Sequence, residues 1–167
     1  MEPSIDSISL ADCATGAWIC NALLARLKPP CRVCNSDTIV ETVASKGENG
    51  LRADACVSCS PEDSGRGRFM KHPHIIVEVR SPSNYGTEFE EKLFEYRDTP
   101  SIRQPAIVES EKRFVRSYAR DAAGRRRLEE ATVAGVVRFP TAGVEMTFAE
   151  IYRRTSLAVE AEGPASP

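Results

Sequence analysis

The chain has 167 residues, of which 41% are hydrophobic and 28% charged, and its formal net charge is -2. These values are typical of a globular domain and argue against a chain that is disordered throughout. The net charge excludes an overall positive field for nucleic-acid binding, but it is compatible with a local basic patch. No apolar run reaches the roughly 18 residues of a membrane span, and the acidic start MEPSIDSISLADC does not resemble a signal peptide, so we expect a cytoplasmic protein with no membrane partner.

The first half of the chain predicts a helix, two paired strands and a central strand before a second helix. Apolar residues recur at helical spacing up to Leu27, and the Lys28-Pro29-Pro30 segment ends this helix because the residue before a proline disfavours helical backbone. The strand that ends at Arg80 is apolar on both faces, which is typical of a strand covered on both sides. In chain order, we predict a helix over 11–27, strands over 31–43 and 51–59 joined as a hairpin, a loop over 60–72, a strand over 75–80 and a helix over 87–97.

The second half predicts short strands and one short helix. A threonine and a glutamate three residues apart begin both the helix at Thr87 and the helix after Thr147, which is the spacing of a capping box. The predicted elements are strands over 106–110, 114–120, 126–139 and 144–146, a helix over 148–153 and a disordered tail over 156–167. This order predicts a single α/β domain with a mixed sheet over residues 1–155, including a C-terminal β-rich extension.

Two carboxylates lie in segments that are otherwise small and apolar, Asp54 in RADACV and Glu78 in IIVEVR. Side chains alternate along a strand, so Asp54 should share a face with Cys56, and Glu78 should share one with Arg80. If the two strands are neighbours the carboxylates converge, and they repel each other unless a proton or a cation lies between them. Oxygen ligands of this kind suit magnesium or manganese. A structural ion-pair network without catalysis is the alternative interpretation.

Lys92 is the third member of this set. On the predicted helix, Phe89, Leu93 and Tyr96 form the apolar face, and Lys92 borders it. Its long stem can lie over the edge of the core and bring the ammonium group to the carboxylates, where it could orient a water or stabilise transition-state charge. An ion pair with Glu88, four residues earlier on the same helix, is a competing explanation for this lysine.

The order of these residues, D…EVxSPS…EK…Y, resembles the Uma-two family of restriction endonucleases, a branch of the PD-(D/E)XK nuclease superfamily. The similar segments are RAD at Arg52–Asp54, IVEVRSPS at Ile76–Ser83, ExxxKxxxY at Glu88–Tyr96 and DTPSIRQPAIV at Asp98–Val108. The similarity runs from about Cys13 to Thr155 and so covers most of the chain.

This resemblance implies a restriction-endonuclease-like fold and metal-dependent hydrolysis of phosphodiester bonds in DNA. Asp54 and Glu78 would hold magnesium or manganese, and the main-chain carbonyl of Val79 would be a third ligand. Lys92 would be the catalytic lysine, which in this family is found on the helix and not on the strand. Arg80 lies where the wider superfamily often has lysine; its pKa is too high for a general base, so we expect it to contact substrate phosphate. The resemblance also implies a homodimer, which would cover sheet edges.

Several departures from the family pattern favour a second interpretation. Ala53 replaces the proline before the aspartate, and Gln104 and Pro105 replace a glutamate and an aromatic residue. The strand and acidic YELIDGE-like segment with which family members usually begin are also missing. The alternative is therefore a catalytically inactive, structural or interaction member of the same fold, and a folded protein that binds no divalent metal would support it.

Four of the six cysteines form two C-x-x-C pairs, Cys31 with Cys34 and Cys56 with Cys59. Because there is no secretory signal, we expect reduced thiols and no disulfide framework. Paired C-x-x-C motifs are also typical of a zinc ribbon, so a zinc-binding module is a further alternative. Both pairs lie in predicted strands, where residues three apart point to opposite faces, and this favours free thiols.

Overall fold

The computed structural model describes residues 9–82, 85–132 and 135–158. Over this part of the chain, runs of short strands separate three helices as the sequence predicts, with differences in where the strands are divided. The elements are α1 (Leu10–Arg26), β1 (Arg32–Asn35), β2 (Ile39–Val40), β3 (Leu51–Arg52), β4 (Ala55–Ser58), β5 (Phe69–Met70), β6 (Ile75–Arg80), α2 (Thr87–Asp98), β7 (Gln104–Glu109), β8 (Phe114–Arg120), β9 (Arg126–Thr132), β10 (Val136–Phe139), β11 (Val144–Thr147) and α3 (Phe148–Ile151).

A six-stranded mixed sheet in the order β1-β4-β6-β7-β8-β9 forms the centre of the molecule. β6 and β7 are parallel, because α2 connects them as a crossover, and the other neighbouring pairs are antiparallel. Five of the six residues of β6 are buried, which confirms the central strand predicted from its apolar pattern. Pro105 is the second residue of β7, near the strand start, where the missing amide is best tolerated.

The two faces of the sheet are covered differently. On one face, α1 packs together with the C-terminal hairpin β10–β11 and α3, and Ile19, Leu23 and Val77 contribute to this larger core. On the other face lies α2, whose buried residues are the predicted Phe89, Leu93 and Tyr96. Odd-numbered β6 residues enter the larger core and Ile76 enters the core with Tyr96, so Glu78 and Arg80 are on the α2 face.

The prediction of one strand over 31–43 is wrong, because a turn after Asn35 divides it into β1 and β2. The amide of Asp37 donates to the Asn35 side chain, the local bond with which asparagine competes against strand pairing. The strand predicted over 51–59 is likewise divided at Ala53 and Asp54 into β3 and β4. The predicted hairpin is nevertheless confirmed, since β1 pairs with β4 and β2 pairs with β3, both antiparallel. Part of the predicted loop also forms β5, which pairs in parallel with β2.

Helix starts follow the predicted capping rule in one of two cases. At α3, the hydroxyl of Thr147 accepts from the amide of Glu150, whose carboxylate accepts from the Thr147 amide, so this capping box is confirmed. At α2, Gly86 is the N-cap and there is no side-chain cap hydrogen bond, so the box predicted at Thr87 is wrong. A capping box absent from the prediction, Ser9 with Asp12, begins α1.

The C-terminal end of the described chain contacts the domain. Arg113 donates to the main-chain carbonyls of Leu157 and Ala158. The rest of the predicted tail, 159–167, lies outside the described residues, and the single domain over 1–155 stays a prediction. Among the residues that the structure describes, no helix is both long and apolar enough to cross a membrane.

Candidate active site

Asp54 lies in the bend between β3 and β4, at the start of the strand beside β6. The β4–β6 ladder pairs Ala55 with Val77, and continuing this register by one residue places Asp54 beside Glu78. The Oδ2 atom of Asp54 accepts the main-chain amide of Val79 at 2.6 Å, just beyond the last ladder pair. Burial raises the pKa of Asp54, while the Val79 amide and Lys92 lower it, and the net pKa stays above its ordinary value.

Glu78 is a buried carboxylate with two direct partners. Its Oε1 atom lies 2.7 Å from the ammonium of Lys92 and accepts the hydroxyl of Tyr96 at 2.8 Å. Burial is the largest influence on its pKa; Lys92 lowers the pKa and Asp54 raises it, and the result is about 7. A carboxyl group with such a pKa changes its charge within the neutral range, as acids and bases at active sites commonly do.

Lys92 reaches this pocket from α2, as its position at the border of the apolar face predicts. Its ammonium is part-buried, with 24% of the side chain exposed, and besides Glu78 it contacts the main-chain carbonyl of Arg52. It also lowers the pKa of Asp54, so its charge acts on both carboxylates. The structure therefore brings Asp54, Glu78 and Lys92 together, and Lys92 pairs with Glu78 from the strand instead of Glu88 from its own helix.

Arg80 is engaged in a second polar cluster, which the sequence did not predict. Its guanidinium pairs with Glu109, the residue directly opposite it on β7, with Nε 3.0 Å from Oε1. The guanidinium also lies over the ring of Tyr85, whose hydroxyl donates to Glu109 at 2.9 Å. Only 14% of the Arg80 side chain is exposed. The expected contact with substrate phosphate stays a prediction, and phosphate would have to compete with Glu109 for this guanidinium.

A cavity of about 400 Å³ lies between α1 and the Asp54 bend. Asp12 and Asp54 both line it, and Gly16 of α1 faces the Cβ atom of Asp54 closely enough that an added Cβ would lie 3.7 Å away. Asp12 is 8% exposed; burial raises the pKa of its carboxyl, but hydrogen bonds from serine side chains, Ser110 first among them, hold the pKa below its ordinary value. The cavity is thus an opening next to Asp54, and a second carboxylate, that of Asp12, lies in its wall.

Three of these groups were missed at the sequence level. The helical spacing predicts only an apolar role for Tyr96, although a tyrosine on a buried face needs a partner for its hydroxyl, which is the signal in the ExxxKxxxY segment. Glu109 ends an apolar strand just as Glu78 interrupts one, and that similarity could have drawn attention to it. The sequence gives no sign that Asp12 lies near the site, because an acidic residue at the start of a helix is ordinarily explained by capping.

The cysteines correct two expectations. Cys31 and Cys59 form a disulfide, so the prediction that all six thiols are reduced is wrong. The zinc-module alternative is also contradicted. The disulfide removes two of the four thiolates, and the other two, Cys34 and Cys56, lie on the opposite face of the sheet. Cys31 and Cys59 pack on the α1 side, while Cys34 and Cys56 pack with the α2-side core. No group of three or more histidine, cysteine or acidic side chains in the described residues is arranged to hold a metal ion.

The mixed sheet, the crossover helix and the flanking layers define a restriction-endonuclease-like nuclease fold. A protein from Anabaena variabilis ATCC 29413, whose crystal structure is titled "a putative nuclease belonging to DUF820", has this fold with a TM-score of 0.68, covering 86% of this chain and 81% of its own. The two sequences are 12% identical, so this likeness concerns the fold alone.

The family follows from the sequence itself. The Uma2 family, described as "Putative restriction endonuclease", matches residues 12–152. The chain therefore belongs to the Uma2 family, as its motifs predicted. A curated relative, "Uncharacterized protein slr1290" from Synechocystis sp. (strain ATCC 27184 / PCC 6803 / Kazusa), is 30% identical over 80 residues, which are 48% of this chain and 41% of that protein. The matched segment thus spans less than half of that relative.

Proposed function

We propose that this protein is a divalent-metal-dependent endonuclease that hydrolyses phosphodiester bonds in DNA. The observation that carries the proposal is the convergence of Asp54, Glu78 and Lys92, at the positions where the family motif has its two acids and its lysine. The fold and the family are those of nucleases. A cytoplasmic location and a DNA substrate belong to the proposal.

The donor set fits a magnesium or manganese ion. The Asp54 carboxylate raises the pKa of Glu78 across the β4–β6 pair, which is the situation that a bound cation relieves. Hard oxygen donors in small number, with room left for water and phosphate, are the preference of these ions. Asp54 and Glu78 would hold the metal, with the main-chain carbonyl of Val79 as the third protein ligand. When bound, the metal would supply activation of a water nucleophile and neutralisation of the scissile phosphate.

The chain's own residues position the charges around the scissile bond. Tyr96 donates to Glu78 and so fixes the orientation of this carboxylate. The Val79 amide does the same for Asp54. Lys92 carries the positive charge that would orient a water or stabilise the additional negative charge of a phosphorane-like transition state. The cavity beside Asp54 gives small molecules a path to this side of the site.

The test combines metal binding with cleavage. We expect wild type to bind Mg²⁺ or Mn²⁺ by calorimetry and to nick supercoiled DNA, and we expect Glu78→Gln and Asp54→Asn to lose both properties while staying folded. Glu91→Gln is the matched control, because it makes the same chemical change at an exposed position on α2. Lys92→Met should retain metal binding and lose cleavage at least tenfold. Equal nicking by wild type and Glu78→Gln would overturn the proposal.

A specific observation favours a catalytically inactive member as the second candidate. Glu78 is already neutralised by Lys92 and hydrogen-bonded by Tyr96, and Arg80 is paired with Glu109, so both clusters also function as structural ion pairs. On this alternative, a folded wild type binds no divalent metal in calorimetry, whereas the endonuclease proposal requires binding.

A homodimer is the remaining part of the proposal. β1 and β9 are the outer strands of the six-stranded sheet, and an outer strand can pair with another chain. Light scattering coupled to size-exclusion chromatography would measure the mass directly. A monomer at all concentrations up to about 100 µM, well above the dissociation constants of stable dimers, would contradict the proposed homodimer.

A further inference from the structure

The β1–β4 ladder places all four C-x-x-C cysteines in directly opposed pairs. Cys34 and Cys56 are Cα partners in this ladder. Arg32 pairs with Ser58, so one step further brings Cys31 opposite Cys59, and these two form the disulfide. Two equivalent cross-strand pairs therefore occur three residues apart on the same two strands, one oxidised and one reduced.

The reduced pair has the geometry for a second bond. The Sγ atom of Cys56 donates to the main-chain carbonyl of Cys34 at 3.6 Å, so the Cys56 side chain lies directly against its ladder partner. Directly opposed residues of an antiparallel ladder have Cα atoms about 4.5–5.5 Å apart, which is within the range of disulfides. Neither strand would have to move far for the sulfur atoms to bond.

The two thiols differ in access and in reactivity. Cys34 is half-buried and lines two cavities, of about 330 and 510 Å³, whereas Cys56 is fully buried. The hydrogen bond from Cys56 lowers the pKa of Cys34 to about 6, against the opposing effect of burial. Cys20, the other thiol near this pair, has its pKa raised to about 11, mainly by burial. Cys34 is thus the group that an incoming reagent would meet as a thiolate.

We propose that Cys34 and Cys56 form a redox-active dithiol that reacts with anionic low-molecular-weight disulfides. The Cys34 thiolate attacks one sulfur of the small disulfide, forming a mixed disulfide and releasing one small thiolate. Cys56 then loses its proton to that thiolate and attacks the Sγ atom of Cys34, which releases the second small thiolate; this takes up a proton from solvent. Two protein thiols are oxidised and one small disulfide is reduced to two thiols.

The lining of the smaller cavity explains the preference for an anionic reagent. Arg32, Arg52 and Arg68 line the same cavity as Cys34, together with the acidic Asp37 and Asp63. The guanidinium of Arg52 already donates to the main-chain carbonyl of Asp37 at 2.9 Å, so it is held at this place. Arg68 is already paired with Glu48 at 2.9 Å, so Arg32 and Arg52 are the guanidinium groups that would contact carboxylates of the reagent. Glutathione disulfide, which carries such carboxylates, is the reagent that this site would take.

The experiment treats the full-length protein at pH 7 with glutathione disulfide, blocks the remaining thiols, and locates the products by peptide mass spectrometry. We expect wild type to form a Cys34–Cys56 disulfide. We expect Cys56→Ser to accumulate glutathione on Cys34, and Cys34→Ser to show neither product. The exposed Cys13 is the internal reference, and Cys34 should react about twofold faster than an ordinary exposed thiol because a larger thiolate fraction outweighs its weaker nucleophilicity.

Three results would overturn the inference. One is modification of Cys13 at a rate equal to or above that of Cys34. Another is a Cys20–Cys34 disulfide, which would assign the second step to a different thiol. The third is a Cys56→Ser protein that carries no glutathione on Cys34; if this variant does not fold, the wild-type map and the Cys34→Ser protein decide instead. The reaction does not depend on nuclease activity, and loss of metal binding would leave it unchanged.

Discussion

The charge of Glu78 should destabilise the folded protein at neutral pH, and this effect can be measured. Burial raises its pKa to about 7 from an ordinary value of 4.5, although Lys92 opposes the increase. The folded chain therefore holds this proton more tightly than the unfolded chain does. The stability linked to the proton is fully present below pH 4.5 and is lost as the pH rises through about 7. Integrated from pH 5 to pH 8, these two values give a loss of about 2.5 kcal/mol.

The perturbation is Glu78→Gln, which preserves the size of the side chain and removes its titration. Urea denaturation of both proteins, without metal, gives the free energies of unfolding at pH 5 and pH 8, and other titrating groups cancel in the difference between proteins. We expect the variant's free energy of unfolding, minus that of wild type, to increase by about 2.5 kcal/mol between the two pH values. A constant difference would refute the buried-charge reasoning. A decrease would show that Lys92 and Tyr96 hold the pKa below its ordinary value.

Three further predictions concern stability, each measured by urea denaturation at pH 7. Arg80→Ala should lower the free energy of unfolding by about 3 kcal/mol because it leaves Glu109 buried without its cation. The double variant with Glu109→Ala should lose less free energy than the sum of the two single variants, and additive losses would contradict this. Reducing the Cys31–Cys59 disulfide should lower the free energy of unfolding by roughly 3–4 kcal/mol, as expected for a sequence separation of 28 residues. An unchanged urea midpoint after reduction would contradict this prediction. Gly50→Ala should lower the free energy of unfolding by about 1–3 kcal/mol, since a Cβ atom there would lie 2.7 Å from a main-chain carbonyl of β2. The same change at Gly67, where the nearest atom to an added Cβ is 3.9 Å away, should be nearly neutral.

Local patterns predicted those parts of the fold that depend on neighbouring residues. The apolar run up to Arg80 indicated a strand covered on both faces, and the spacing of Phe89, Leu93 and Tyr96 indicated the buried face of α2. The family motif then predicted which acids and which lysine would meet. The two element predictions succeeded because each depends on the period of one element, whereas the roles that the motif assigns to Asp54, Glu78 and Lys92 stay a proposal.

Predictions failed or were missing where the outcome depends on register between distant strands. The pairing of Arg80 with Glu109 requires β6 and β7 to align residue by residue, which neither segment reveals alone. The same is true of the disulfide, since the spacing of Cys31 and Cys34 showed correctly that they face opposite ways but not which cysteine lies across from each. At Asp54, strand alternation does not apply because a bend divides the strand.

The ion pair between Lys92 and Glu78 has a mechanical consequence for α2. Strands in the sheet are joined by main-chain hydrogen bonds that do not titrate near neutral pH, whereas this helix is joined to β6 partly by the attraction between two side-chain charges. When Glu78 takes up a proton, around pH 7, that attraction is lost while the apolar contacts of Phe89 and Leu93 persist. One contact between the helix and the sheet is thus pH-dependent: its attraction increases as the pH rises through about 7, and it offsets only part of the cost of burying the Glu78 charge.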